Sequence, residues 1–451
     1  MNFSFLQELL SNITQRDALL RRRSDGPPLD HSQVIDACHR LLASDGEASS
    51  ITLACQALDA YGRLGDAEKT RFFLTLTEEF TADPDAVDRA YQDYRVERGN
   101  MALQRLFEAC EPRRQELLRR LNLTTGGTHD LVRMREDLLP RLKDNPDLRA
   151  LDDDFAHLFA SWFNRGFLVL KRIDWNTPAA VLEKIIRYEA VHEICDWNDL
   201  RRRLDARDRR CFAFFHPAIG DEPLIFVEVA LTKGMPDRIQ PILDANHEAI
   251  EAEDADSAAF FGISNCQVGL RGISFGNFLI KQVVQELKAE LPRLKHFVTL
   301  SPVPGFRAWL DAERQREDGR LDDDTQTLLK ELDSEGWEAD PERAKTLGEA
   351  IRPLAAHYLT KERNPKGLPL NSVARFHLGN GAELHRINWL GDTSRRGLAQ
   401  FGGLMVNYLY VLDDIEGNHE RYSSEGKVAC SSQVKDLRRR ARKHLKGDPV
   451  T

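Results

Sequence analysis

The spacing of apolar residues changes near Phe167, from a helical period to short runs of strand length, so the two sides of that point cannot share one architecture. Before it, apolar positions recur at three- and four-residue steps in FLQELL, VIDACHRLL, RFFLTLTEEF and LQRLFEACEPRRQELLRRL. Asp83-Pro84 and Asn145-Pro146 each read as a cap followed by proline at the first helical position. TTGGT, residues 124–128, reads as a turn between helices. The pattern predicts an all-helical bundle over residues 1–160. After it, residues 167–175 read as strand or connector and 181–190 as a short helix. Strands are expected at 211–216, 224–231 and 258–264, a helix at 277–291, and strands at 296–300 and 382–389. A further apolar segment covers 403–412. A charged helical stretch at about 311–370 interrupts this series as an insert, and residues 437–447 read as a basic helix. The expected whole is α+β: a helical bundle, then a mixed α/β domain over 161–451.

Composition removes several function classes. The chain has 451 residues, 41% hydrophobic and 30% charged, which suits a soluble protein of two or three domains. A net charge of -9 argues against wholesale nucleic-acid binding. Seven cysteines, odd in number and with no C-x-x-C pair, argue against a zinc site or a secreted disulfide framework and for reduced thiols in a cytosol-like compartment. No apolar run approaches the roughly 20 residues of a membrane span. Residues 1–28 are amphipathic and carry Arg21, Arg22 and Arg23, but Glu8 and Asp17 interrupt them, and transit peptides are poor in acids. They read as a first helix. The ending GDPVT is not a peroxisomal signal.

Three segments carry the chemistry. QVGLRGISFGNFLIKQVV (267–284) reads as a glycine-bearing loop opening a helix. Gly269, Gly272 and Gly276 permit close backbone approach, the helix start offers N–H groups to an anion, and Arg271 can neutralise a phosphate. HFVTLSPVPGF (296–306) is a strand ending in Ser301-Pro302, where proline stiffens the turn and holds a hydroxyl at the sheet edge. An isolated serine more often satisfies local backbone groups. NSVARFHLGNGAELHRINW (371–389) supplies His377 after an expected cap at Asn371. A lone histidine is usually structural, and His216, His296 and His385, each in or beside a strand, serve as controls. In GGLMVNYLY, Tyr410 can offer its phenol to a site, although core packing is the commoner fate. Together the segments suggest acyl-CoA chemistry. No spacing of the H-E-x-x-H kind argues for a metal. Residues 272–276 also match G-x-S-x-G, the nucleophile elbow of α/β-hydrolases, with Ser274 at its centre. The preceding strand ends too early for an elbow, no HGGG-type segment precedes it, and a candidate acid such as Asp392 follows His377 instead of preceding it.

In order and approximate spacing, SWFNRGFLVLKRIDW, HPAIGDEPLIFVEVALT, GLRGISFGNFLIK, LSPVPGF, FHLGNGAELHRINW and GGLMVNYLY resemble the malonyl-CoA decarboxylase family. LNLTTGGTHDLVRMREDLL resembles the family's helical N-terminal part. The resemblance spans most of the chain; the insert and the termini are least family-like. It implies a helical oligomerisation domain followed by a GNAT-like acyl-CoA domain, with CoA slotted where strands 258–264 and 296–300 splay apart. Arg271, Gly272, Ile273, Ser274, Phe275, Gly276 and Asn277 would then form the CoA loop. Ser301 and His377 match the family's catalytic serine and histidine, Tyr410 a supporting tyrosine, and Lys184 lies in a stretch similar to the family's PxxVLxK. The implied reaction takes malonyl-CoA to acetyl-CoA and CO2 with no cofactor or metal, in a homo-oligomer (dimer or tetramer) located in the cytoplasm, with no nucleic-acid or membrane partner. Animal members carry a glutamate where this chain has Ser274, so that carboxylate is not essential here unless another replaces it. Competing expectations are an acyl-CoA-dependent N-acetyltransferase, a non-catalytic acyl-CoA sensor and a hydrolase acting through Ser274.

Overall fold

The computed structural model describes residues 29–273, 279–316 and 319–446. The expected first helix at 1–28, the loop positions Ser274, Phe275, Gly276 and Asn277, and residue 447 of the expected basic helix lie outside them. The chain divides into two compact units: Met1–Val169 with Phe214–Leu224 and Asn265–Phe275, and Leu170–Ala213 with Ile225–Ser264 and Gly276–Thr451.

The first unit is built from α1 (His31–Leu42), α2 (Glu47–Gly62), α3 (Asp66–Glu79), α4 (Pro84–Glu97), α5 (Asn100–Cys110), α6 (Arg113–Asn122), α7 (Gly127–Leu138) and α8 (Arg149–Trp162). Helix starts follow their local chemistry. Asp30 forms a capping box with Gln33 at the head of α1, and Asp83 caps α4 with Pro84 in its first turn. The core collects Leu41, Phe72, Phe73, Leu121, Leu131, Phe155 and Phe159, all at most 2% exposed. The expected 124–128 turn ends early, because Gly126 takes φ +79° and α7 begins at Gly127. A Cβ on Gly127 would lie 2.4 Å from the Leu121 carbonyl oxygen, so the helix can start there only with glycine.

The second unit carries an eight-stranded sheet: β1 (Val169–Ile173), β2 (Arg209–Phe215), β3 (Pro223–Thr232), β4 (Ser257–Asn265), β5 (His296–Thr299), β6 (Ser301–Pro302), β7 (Glu383–Asn388) and β8 (Met405–Leu409). Their order is β1-β2-β3-β4-β5-β8-β6, with β7 also paired to β8. Every residue of β2 is buried, the mark of a strand covered on both faces. β4 and β5 are parallel, and their ladder runs from Ser257↔His296 to Phe260↔Thr299. β4 then continues to Asn265 while the strand beside it runs on from β5 into β6 along β8. This divergence after a parallel pair is the splay expected of a GNAT-like domain.

The expected strand 296–300 is therefore the first part of a longer run. Val298↔Leu409, Ser301↔Val406 and Pro302↔Met405 keep one antiparallel register through β5 and β6. The ladder to β8 opens between them at Thr299, where the Tyr408 N–H goes to the Thr299 hydroxyl, while the Leu300 N–H closes the β4–β5 ladder on the Phe260 carbonyl, 2.8 Å away. The basic helix also differs from expectation. It spans Ser432–Arg440, starting earlier because the Ser431 side chain caps the Val434 N–H, and becomes a 3-10 turn at Ala441–Lys443. No helix among the described residues is long and apolar enough to cross a membrane.

Candidate active site

The interrupted run beside β8 positions the serine. Side chains alternate along a strand, so Thr299 and Ser301 share a face with Tyr408 and Tyr410, while Leu300 and Met405 enter an apolar cluster on the other. At Thr299 side chains replace part of the backbone ladder. Its Oγ1 accepts the Tyr408 N–H at 3.1 Å, and its carbonyl accepts Asn407 Nδ2 at 2.7 Å. Asn407 Oδ1 in turn accepts from Arg386 Nε and Asn388 Nδ2, both at 2.9 Å, so this bridge is itself held rigidly.

The histidine arrives on the helix Ser372–Gly379. Asn371 caps it, accepting the Ala374 N–H at 2.8 Å, and its Nδ2 donates to the Pro304 carbonyl at 2.8 Å. One buried side chain thereby ties the start of this helix to the turn after Ser301. Beyond the helix Gly381 takes φ +82°, and a Cβ there would lie 2.2 Å from the Ile415 carbonyl oxygen, so the turn into β7 requires glycine.

These elements bring Ser301, His377 and Tyr410 together. Ser301 Oγ lies 3.2 Å from His377 Nε2, and His377 Nδ1 lies 2.8 Å from the Tyr410 hydroxyl. Ser301 Oγ also donates to Thr299 Oγ1 at 2.9 Å. The imidazole stacks on Tyr408 with ring centroids 4.6 Å apart. Ser301 is 7% exposed and His377 2%. Burial lowers the His377 pKa to about 3, so the ring is neutral at physiological pH. Burial also pushes the Tyr410 phenol well above its usual range. Such a group of neutral donors can stabilise charge that develops on a bound oxygen and can pass a proton.

Arg271 is exposed, Gly272 takes φ +81°, and Ile273 is half-buried, all within the first unit. In that unit Arg135 Nη1 donates to the Gly269 and Arg271 carbonyls at 2.7 and 2.9 Å. The close approach that Gly269 permits is made to α7, since a Cβ would lie 1.9 Å from the Val132 carbonyl oxygen. That glycine thus serves packing. Lys184 is half-buried on the helix Ala179–Tyr188, and none of the hydrogen bonds described for the serine–histidine group involves it.

Sequence reasoning passed over Thr299 and noted Tyr408 only as a polar group of its segment, although each stands two residues from a candidate on the same strand face. It also passed over Glu228, whose charge breaks the apolar run of β3. Glu228 is 1% exposed and lies over Gly262, where a Cβ would meet its Oε2 at 2.3 Å. Phe260 packs against Tyr410, so Gly262, two residues on, places Glu228 on the same sheet face as the histidine. Arg203 Nη1 is 3.5 Å from Glu228 Oε1, but this guanidinium also serves Asp199 and the carbonyls of His192 and Glu193. Burial first, and then the like charge of Glu189, therefore win over Arg203 and raise the Glu228 pKa to about 8. In the helical unit Asp30, His31 and Glu68 bring three potential metal-ligand atoms within 4.8 Å. Those atoms are already engaged: Asp30 caps Ser32, and Glu68 accepts from the His31 backbone and pairs with its ring.

Comparison with known proteins adds the following. A family model described as the malonyl-CoA decarboxylase C-terminal domain matches residues 166–447, and one for the N-terminal domain matches 80–163. The mitochondrial malonyl-CoA decarboxylase of Anser anser anser is 40% identical over 349 residues, 72% of this chain and 69% of that protein. The Rattus norvegicus protein is 37% identical over 358 residues, 74% of this chain and 72% of its own length. The crystal structure of malonyl-CoA decarboxylase from Rhodopseudomonas palustris superposes with a TM-score of 0.89 at 53% identity, covering 91% of this chain and 100% of that one. The structure from Agrobacterium vitis gives 0.85 at 54%, covering 90% and 99%.

Proposed function

The chain belongs to the malonyl-CoA decarboxylase family, and from that premise we propose that Ser301, His377 and Tyr410 form its catalytic centre. It is a carboxy-lyase that converts malonyl-CoA to acetyl-CoA and CO2. The observation that carries the assignment of residues is the continuous buried hydrogen-bonded run from the Tyr410 hydroxyl through both ring nitrogens of His377 to Ser301.

Decarboxylation breaks the C–C bond to the carboxylate and moves its electron pair onto the thioester oxygen as an enolate. Catalysis requires donors that bind this oxygen more tightly in the transition state than in the ground state. Each such donor contributes roughly 2.7–4 kcal/mol in comparable oxyanion sites. Ser301 positions the carboxylate or polarises the thioester. His377 supplies the proton that converts the enolate carbon to the methyl group of acetyl-CoA, and solvent restores the imidazole. The thioester is its own electron sink, so the reaction calls for no metal or further cofactor. Arg271 and the loop 272–277 are the proposed contact for the CoA phosphates, supported by the exposed guanidinium and the positive φ of Gly272.

The test is product analysis by mass spectrometry after adding malonyl-CoA. The wild-type chain yields acetyl-CoA. Ser301→Ala and His377→Asn each reduce turnover by about 10²-fold or more with the circular dichroism unchanged. Near-normal rates in both variants would defeat the assignment.

A homo-oligomer formed through the helical unit completes the proposal. Val96, Met101 and Phe107, at the α4–α5 hairpin, are 88%, 65% and 80% exposed, an apolar surface that assembly would cover. Light scattering that returns the mass of a single chain would rule this out. A cytoplasmic location is proposed on the seven cysteines, all free thiols, and cell fractionation that finds the protein in another compartment would contradict it.

A further inference from the structure

Every hydrogen in the run through His377 can be followed to its acceptor. Thr299 Oγ1 receives the Tyr408 N–H at 3.1 Å and the Ser301 hydroxyl at 2.9 Å, and donates its own proton to the Val406 carbonyl at 3.4 Å. A carbonyl has no proton to return, so the run ends there. Once the single proton of Ser301 points at Thr299, Ser301 Oγ can only accept from the imidazole. His377 Nε2 must then carry the ring proton, and Nδ1, left bare, accepts from the Tyr410 hydroxyl at 2.8 Å.

The opposite polarity fails at both ends. Thr299 would donate to Ser301, Ser301 to Nε2, and Nδ1–H to the Tyr410 oxygen. The Tyr410 proton would then need another acceptor. Among the described residues its hydroxyl has no partner besides His377, and Tyr410 is 1% exposed. A buried hydroxyl left without an acceptor is destabilising, and the Val406 carbonyl would lose its Thr299 donor as well.

We propose that in the unliganded chain Thr299 is a positioning residue that fixes His377 in the Nε2–H tautomer by drawing the Ser301 proton away from the ring; when substrate binds, that proton turns to the substrate oxygen and His377 keeps its own. The proposal deepens the decarboxylase reading and rests on it, because that reading requires the imidazole to give a proton. In a hydrolase dyad the serine donates and the histidine accepts; here the two roles are exchanged. An imidazole already protonated on Nε2 cannot take the Ser301 proton, so the hydroxyl is not activated as a nucleophile against the thioester. One side chain that bonds to neither ring nitrogen thereby sets the direction of the proton. Thr299 does this from a break in the sheet ladder, where its hydroxyl also receives a backbone N–H and cannot rotate freely.

The experiment is 15N NMR of the whole chain labelled in histidine, with the His377 signals assigned by their loss in His377→Asn, together with steady-state kinetics on malonyl-CoA. The wild-type chain is expected to carry the proton on Nε2 with Nδ1 bare. Thr299→Ser keeps the hydroxyl and should retain both the tautomer and a kcat within about twofold. Thr299→Val should move the proton toward Nδ1 and lower kcat by about tenfold or more with KM within about twofold, since a misplaced tautomer is costly in comparable dyads. A wild-type spectrum with the proton on Nδ1 overturns the proposal, and it can be recorded even if Thr299→Val does not fold. So does a Thr299→Val chain with the wild-type tautomer, whatever its rate, or with a kcat within about twofold of wild type. Failure of the catalytic assignment itself would show separately, as near-normal turnover in both Ser301→Ala and His377→Asn.

Discussion

Ser301, His377 and Tyr410 hold no formal charge between them, whereas Glu228, Glu189 and Arg203 put three ionisable groups into a second buried cluster. Glu228 stands on the same sheet face as the histidine. In the first cluster each polar atom has a partner, and the groups form a directed run that ends on a carbonyl. In the second, Glu228 Oε2 has no hydrogen-bond partner among the described residues, and Glu228 shares the Arg203 guanidinium with Asp199. Burial acts on both but with opposite result. It keeps the histidine neutral by lowering its pKa and keeps the glutamate neutral by raising its own. The same desolvation therefore gives a fixed proton donor in one place and an acid close to its titration point in the other.

The harshest of the following breaks falls on the neutral run. Tyr410→Phe removes the hydroxyl that holds Nδ1 while keeping the ring, and kcat should fall about tenfold, the value of one net hydrogen bond of roughly 1.4 kcal/mol, with KM little changed. An unchanged kcat would mean that Tyr410 only packs. A smaller effect is expected in the charged cluster. Glu228 has a folded-state pKa of about 8 against 4.5 unfolded, so the folded chain binds the extra proton between those values. Its contribution to stability is full below about 4.5 and is lost as pH rises through about 8. Glu228→Gln should flatten the decline of Tm across that window and leave kcat within about twofold. If the decline persists in the variant, Glu228 is not its source. His377 acts in the opposite direction: with a folded pKa of about 3 against 6.5, its contribution is full above 6.5 and is lost as pH falls toward 3.

Most elements could be read from local pattern, because period and capping are local. The strands 211–216, 224–231 and 258–264 emerged within two residues of expectation at either end. The order of strands did not, since it depends on pairings far apart in the chain. Ser301, His377 and Tyr410 stood out by their positions at element ends and by resemblance. Thr299 did not, because its part depends on register: it acts only where it lies opposite Tyr408 and takes the Tyr408 N–H that the backbone ladder leaves. Gly269 misled for the same reason. A glycine in a loop says that something comes close, and only the three-dimensional contact reveals that it is Val132 of α7. Glu228 was visible as a lone charge in LIFVEVALT and went unused.

The central claim is that the working group is a neutral imidazole held by uncharged neighbours, and the pH dependence of kcat for malonyl-CoA between about pH 5 and 7 tests it most directly. With the His377 pKa lowered to about 3, the account predicts a flat profile through the ordinary titration range of histidine. An inflection near 6.5 that reports a histidine cation as the active form would contradict it.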